Sequence, residues 1–217
     1  MRTGLENRYY DLRKLQSPIK DQGERPTCLA CAATSGHEYL RGDGHCLSVE
    51  YLHWVCVKAD GASVGGISLN TAIKTLVNVG QPYEELWPYQ HDVDDSSMDY
   101  QPPEGISLAN CLKVKSGDQV VPIVEDLKLQ IRVGKAVLIG IRLFYGFHNS
   151  VDGKIPMPDD KDIICGRHVI LLVGYDDAEQ YFIFKNSWGH EWGEHGFGFL
   201  PYGYVKEHTL AACVFCN

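Results

Sequence analysis

Apolar residues recur every three or four positions through the first half of the chain and gather into short blocks in the second half. After Ser68, the residues Leu69, Ala72, Ile73, Leu76 and Val77 follow the i, i+3, i+4, i+7, i+8 spacing of a helix with one buried face, and Gly80 and Pro82 end it. Ser48 opens another helix with Tyr51, Leu52, Val55 and Cys56 on its apolar side. Before it, a stretch through Ala30, Ala32, Ala33 and Tyr39 predicts a helix capped by Thr27 and stopped near Gly42. A segment rich in Pro and Asp, from about Pro88 to Pro103, reads as the connection between lobes. One more helix is expected near Val124 to Val133, ending at Gly134. Strands are then predicted at Ala136 to Phe144, Val169 to Tyr175, Tyr181 to Phe184, Gly196 to Leu200 and Ala211 to Phe215. Helices first and strands later predict an α+β fold. The expected division is a helical lobe over about 11–105 and a β-rich, barrel-like lobe over about 106–217, one domain across 1–217 with a cleft between the lobes.

Composition narrows the partners. The 217 residues are 44% hydrophobic and 22% charged, ordinary for a soluble globular chain. The formal net charge is −8 and no Lys/Arg run appears, so the phosphate-neutralising surface that nucleic acid requires is not expected. No apolar run approaches the ~20 residues of a membrane helix, so no membrane partner is expected. The acidic groups Asp92, Asp94, Asp95, Asp99 and Asp159, Asp160, Asp162 read as two solvated loops, since neither has the regular ligand pattern of a calcium site. Met1 to Tyr10 carries Arg2, Glu6 and Arg8 and no apolar signal-like core. Eight cysteines without a secretory signal are expected to be free thiols in a cytoplasmic protein.

The candidate chemistry begins at Cys28, in Gln22-Gly23-Glu24-Arg25-Pro26-Thr27-Cys28. A thiol is a weak nucleophile until its thiolate is stabilised, and the free N–H groups and dipole at a helix start do that. His168 enters an apolar strand, and Asn186 precedes Ser187-Trp188-Gly189. A thiol, an imidazole and a polar group to orient the imidazole are the parts of a cysteine hydrolase. Two other readings compete. Cys28 and Cys31 have the spacing of a redox pair, but they follow a polar loop rather than a strand. Cys28, Cys31, Cys213 and Cys216 have paired spacing that zinc could use, which would consume the nucleophile. The other histidines, His37, His45, His53, His91, His148, His190, His195 and His208, form no pattern and are expected at the surface or at caps.

These blocks resemble those of papain-like cysteine peptidases. Gln22-Gly23 before Cys28, His168 followed by Val-Ile-Leu-Leu-Val-Gly-Tyr, and Asn186-Ser187-Trp188-Gly189 with Trp192-Gly193 and Gly196-Phe197-Gly198 occur in the family's order. Leu47-Ser48-Val49-Glu50, Gly65-Gly66 and Trp87-Pro88-Tyr89 resemble further family segments. The resemblance implies a two-lobed fold and peptide-bond hydrolysis through a Cys28 thioester, with no metal or organic cofactor. It implies His168 as acid and base, Asn186 as its orienter, and Gln22 with the Cys28 N–H as oxyanion donors. Gly65 and Gly66 would bind an extended polypeptide, and Trp188 would shield the Asn–His hydrogen bond. The same machinery could serve deamidation or transglutamination, and the fold could serve as a non-catalytic peptide-binding module.

Four positions depart from the family's pattern. Arg25 stands where secreted members carry a disulfide cysteine, and the partner position near Ser63 lacks one too. Leu29 replaces the usual Trp after the nucleophile, and Arg167 replaces an acidic or amide residue before the histidine. Together with the lack of an inhibitory leader, these suggest an intracellular, bacterial enzyme restrained by a narrow cleft, a rare substrate or a regulatory protein partner.

Overall fold

The computed structural model describes residues 8–61 and 66–217. In chain order the elements are β1 (Tyr9–Asp11), α1 (Cys28–Arg41), α2 (Val49–Asp60), α3 (Leu69–Asn78), β2 (Ser116–Gln119), α4 (Val124–Arg132), β3 (Val137–Phe144), the short α5 (Tyr145–His148), β4 (Ile164–Asp176), β5 (Tyr181–Lys185), β6 (Phe197–Pro201), α6 (Tyr202–His208) and β7 (Thr209–Cys216).

The expected helices form, with one difference in capping. Ser48 and Ser68 accept from Tyr51 N at 3.0 Å and Thr71 N at 3.1 Å, the usual N-cap bonds. Thr27 makes no such bond; its hydroxyl pairs with Tyr89 Oη at 2.7 Å. Helix α1 ends at Gly42, which takes the left-handed φ of 65°. Its residues from Leu29 to Glu38 are all buried. The small side chains of Ala30, Ala32, Ala33 and Gly36 make that possible, and a Cβ at Gly36 would stand 3.2 Å from the Phe215 ring. So α1 lies between the lobes, with α2 and α3 on one side and β4 and β7 on the other.

The second half is a seven-stranded antiparallel sheet in the order β2-β7-β3-β4-β5-β6, with β1 also pairing β4. The α+β class holds; the lobe expected to be barrel-like is a sheet not closed into a barrel. β4 is the longest strand because it meets β3, β5 and β1. It begins at Ile164, ahead of the expected Val169, since exposed residues can pair with β3 without an apolar pattern. β1, β2, α5 and α6 are further elements beyond those expected.

Three further expectations are corrected. The Pro88 to Pro103 segment does more than connect lobes: Trp87 and Tyr100 pack with Tyr51 and Cys111 in a small second core, and Trp54 Nε1 donates to Tyr100 O at 2.9 Å. Within that segment Asp95 is not a solvated carboxylate. It accepts from Arg25 Nη2 at 2.6 Å and contacts His53 Nε2 at 2.7 Å. His53 and His37 are buried rather than at the surface, the latter against Gln81 Oε1 at 3.2 Å. Among the described residues, no helix is long and apolar enough to cross a membrane.

Candidate active site

The N-terminus of α1 points Cys28 into a cleft of about 780 Å³ between the lobes. Gln22, Leu29, Gly66 and Ile67 line its helical side, and Ile141, His168, Val169 and Ala211 its sheet side. Gly66 has φ of 93°, a backbone conformation that side chains rarely adopt, and a Cβ there would lie 3.5 Å from Pro26 O. A glycine therefore keeps this wall low enough for another backbone to approach. Gly65 lies outside the described residues.

His168 sits in β4, 2% exposed, and its Nε2 donates to Asn186 Oδ1 at 2.8 Å. That bond assigns the tautomer: Nε2 carries the proton and Nδ1 is left as the base. Asn186 is held in turn by its own N–H on Gly196 O at 3.0 Å, while Ser187 N donates to its Oδ1 at 2.9 Å. Trp188 lies over the imidazole with ring centroids 4.9 Å apart, and Phe147 meets the imidazole edge-on at 5.8 Å. Both rings thus pack directly against the imidazole that bonds Asn186.

Burial pushes the His168 imidazole down to about 4; the Asn186 hydrogen bond acts in the opposite direction, and nearby His148 lowers it further. Burial also raises the Cys28 thiol, while backbone N–H groups of Val169, Leu29 and Cys28 favour its thiolate. Two of those three donors belong to the helix start, as the sequence predicts. Among the described residues no hydrogen bond joins the Cys28 and His168 side chains; they face one cleft.

Gln22 is held by a strap. Lys20 to Gln22 pairs with Ser187 to Gly189: Gln22 N donates to Ser187 O at 2.9 Å and Gly189 N to Lys20 O at 3.1 Å. Ser187 Oγ donates to Gln22 Oε1 at 2.7 Å, and Gln22 Nε2 donates to Arg25 O at 2.8 Å. These bonds fix the amide orientation and leave the second Nε2 proton for the cleft. Gln22, Cys28, His168 and Asn186 are thus brought to one site.

Sequence reasoning missed two residues here. Ser187, which orients Gln22, was legible only as part of the Asn-Ser-Trp-Gly block. His148 lines the cleft, stacked on Trp188 at 4.9 Å and 7°, and no local pattern announced it. The competing metal reading fails, because no group of three or more His, Cys, Asp or Glu could hold an ion among the described residues. All eight cysteines are free.

A Papain family cysteine protease model matches residues 7–215. The chain belongs to the papain family of cysteine proteases. It is 28% identical over 159 residues to an uncharacterised peptidase C1-like protein of Acanthamoeba polyphaga mimivirus, covering 68% of this chain and 50% of that protein. It is 28% identical over 192 residues to the viral cathepsin of Adoxophyes honmai nucleopolyhedrovirus, covering 82% of this chain and 52% of that one. The chain thus spans about half the length of these curated relatives. Among solved structures, xylellain, a cysteine protease from Xylella fastidiosa, superposes with a TM-score of 0.87 at 24% identity, over 97% of this chain and 86% of that one. That likeness establishes the shared papain-like fold.

Proposed function

We propose that this chain hydrolyses peptide bonds of polypeptide substrates through a Cys28 thioester. The observation that carries the reading is the His168–Asn186 bond of 2.8 Å, which leaves Nδ1 as a base toward the cleft that Cys28 enters from the start of α1. Cys28 Sγ attacks the scissile carbonyl carbon as its proton passes to His168 Nδ1. The carbonyl oxygen takes up negative charge and receives the free Gln22 Nε2–H and the Cys28 N–H; one such donor contributes about 3–4 kcal/mol at the transition state. His168 then protonates the leaving nitrogen, the C–N bond breaks and the thioester remains. Water attacks the thioester, His168 takes its proton and returns it to sulfur, and the acid departs. No observation favours deamidation, transglutamination or a non-catalytic module.

A reducing, cytoplasmic setting belongs to this reading. Its support is eight free thiols and an Arg25–Glu50 ion pair of 2.8 Å at the position where secreted members bear a disulfide.

A thiol-reactive peptide epoxide, offered to the native chain and to Cys28→Ala in a reducing buffer, tests both parts. The expected result is one covalent adduct at Cys28, matched by cleavage of a peptide into two fragments, with the melting temperature unmoved by reductant. Labelling that persists in Cys28→Ala, or products one dalton heavier without cleavage, would remove the peptidase reading.

A further inference from the structure

The cleft has a cationic rim that the proposed chemistry does not use. Arg167 in β4 stands directly opposite Arg142 in β3, beside the Ile141↔His168 pair. Paired residues of antiparallel strands project to the same face with their Cβ atoms about 5 Å apart, and like charges so placed repel. Nothing on the sheet relieves this. Both side chains are exposed, and among the described residues neither arginine has an ion-pair partner. Arg142 Nη1 reaches a backbone oxygen, Glu207 O at 3.2 Å, while the Glu207 carboxylate lies 3.9 Å from His208.

The same face continues down the two strands to Gly140 and Val169, which are paired with each other and line the cleft. Val169 N–H supports the Cys28 sulfur. Arg167 is two residues further along the strand, about 6.6 Å at the usual rise, within a side chain's length of the reacting centre. There is room between them. A Cβ at Gly140 or at Gly166 would meet nothing within 4 Å. A neighbouring depression of about 430 Å³ contains both arginines and shares Arg167 and Leu210 with the cleft, so the two form a continuous surface. Ile67, Leu69 and Leu210 supply apolar wall, and the one acidic lining residue, Asp21, is turned to Gly23 N at 3.0 Å. Trp188 and His148, stacked together, pack against His168, which protonates the leaving nitrogen in the proposed reaction, so that end of the cleft is assigned to the leaving group.

We propose that Arg167, backed by Arg142, makes the acyl side of the cleft selective for substrates with an acidic side chain. The methylenes of a glutamate would lie along Leu210 and Ile67, and its carboxylate would meet the unpaired guanidinium. That contact relieves the Arg–Arg repulsion as well as forming a charge-assisted hydrogen bond. In a chain of net charge −8, the rim is a local positive site. This inference rests on the peptidase reading, with Arg167 as a specificity residue.

Two measurements test it together. The first is kcat/KM for fluorogenic peptide pairs differing only by Glu or Gln at each acyl-side position. The second is binding of the same pairs to Cys28→Ala, which needs no turnover. At one position the native chain should favour Glu over Gln by about 10- to 100-fold, the range of a hydrogen bond to a charged group. The preference should fall toward unity in Arg167→Gln, weaken in Arg142→Gln and shrink with added salt. Arg167→Glu should prefer Lys to Glu. Ratios within each variant cancel any loss common to both peptides. A native ratio near unity, or one that survives Arg167→Gln, overturns the proposal. Absence of turnover with the binding preference intact would sink the peptidase reading alone.

Discussion

His168 has one nitrogen for orientation and one for chemistry, and its neighbours decide which is which. Nε2 is taken by Asn186 at 2.8 Å, so Nδ1 is the nitrogen left to accept a proton in the proposed reaction. Burial holds the ring neutral down to about 4, and burial also holds the thiol protonated against three backbone donors. Below about 4 His168 becomes charged and can no longer accept the thiol proton. Activity should therefore persist through mildly acidic pH and fall as pH drops through about 4, seen in kcat/KM against pH. An acid limb at the ordinary histidine value, near 6.5, would contradict this. Ser187 acts one bond further out. Its hydroxyl holds Gln22 Oε1 at 2.7 Å and does not touch the imidazole. Ser187→Ala should lower kcat by roughly tenfold, less than full removal of an oxyanion donor, with KM and the acid limb little changed. A KM effect without a kcat effect would assign Ser187 to substrate binding instead.

At the scale of elements, α1 needs its start fixed, since Cys28 and the Cys28 N–H both belong to it. Arg25 is the fixing point. Its guanidinium bonds both Glu50 oxygens at 2.8 and 2.9 Å, Asp95 at 2.6 Å and Gln90 O, and its carbonyl receives the Gln22 amide. Tyr100 Oη closes the cluster onto Glu50. One residue thereby ties the nucleophile loop to α2 and to the segment after Trp87. Glu50→Ala leaves the buried Arg25 cation to Asp95 and Gln90 O and should destabilise the fold by about 3 kcal/mol in chemical denaturation, the lower end for a broken buried pair. Arg25→Met combined with Glu50→Leu should lose less than Glu50→Ala alone, because both charges leave together. Equal losses would show that packing, rather than the broken pair, sets the cost. This cluster also shows where legibility ended. The stripes of α2 and α3 and the apolar runs of β3 and β5 were readable because burial there follows a local period. The candidate site residues Gln22, Cys28, His168 and Asn186 were readable because each sits in a block of distinctive neighbours. The pairing of Glu50, Asp95 and His53 around Arg25 was not, since a buried charge is defined by partners distant in sequence. Ser116–Gln119 carries no apolar alternation, and it is a strand because β7 offers an edge to pair with.

Across the whole molecule the lobes are joined by the segment before Gln22. Lys185 of β5, 2% exposed, donates to Ser17 O at 2.7 Å and Ser17 Oγ at 2.8 Å. Ser17 Oγ passes the contact to Glu38 of α1, which also holds Lys20 at 2.8 Å and Leu47 N at 2.7 Å. A chain of polar contacts thus runs from the sheet to the central helix under the cleft. Burial, with Lys20 nearby, pushes Lys185 from its usual 10.5 down to about 7, against the pull of Glu38. A lysine lowered on folding means that the unfolded chain binds the extra proton between about 7 and 10.5. Stability from this group is therefore least below about 7 and rises as pH climbs through that window, by at most about 1.4 kcal/mol per pH unit. Lys185→Met removes the titration along with its two hydrogen bonds. Its stability relative to the native chain should worsen steadily from pH 7 to pH 9, in denaturation curves at matched ionic strength. A difference between the two proteins that stays constant over that range would show that Lys185 keeps its ordinary proton affinity, and that the interlobe contact is a charged one.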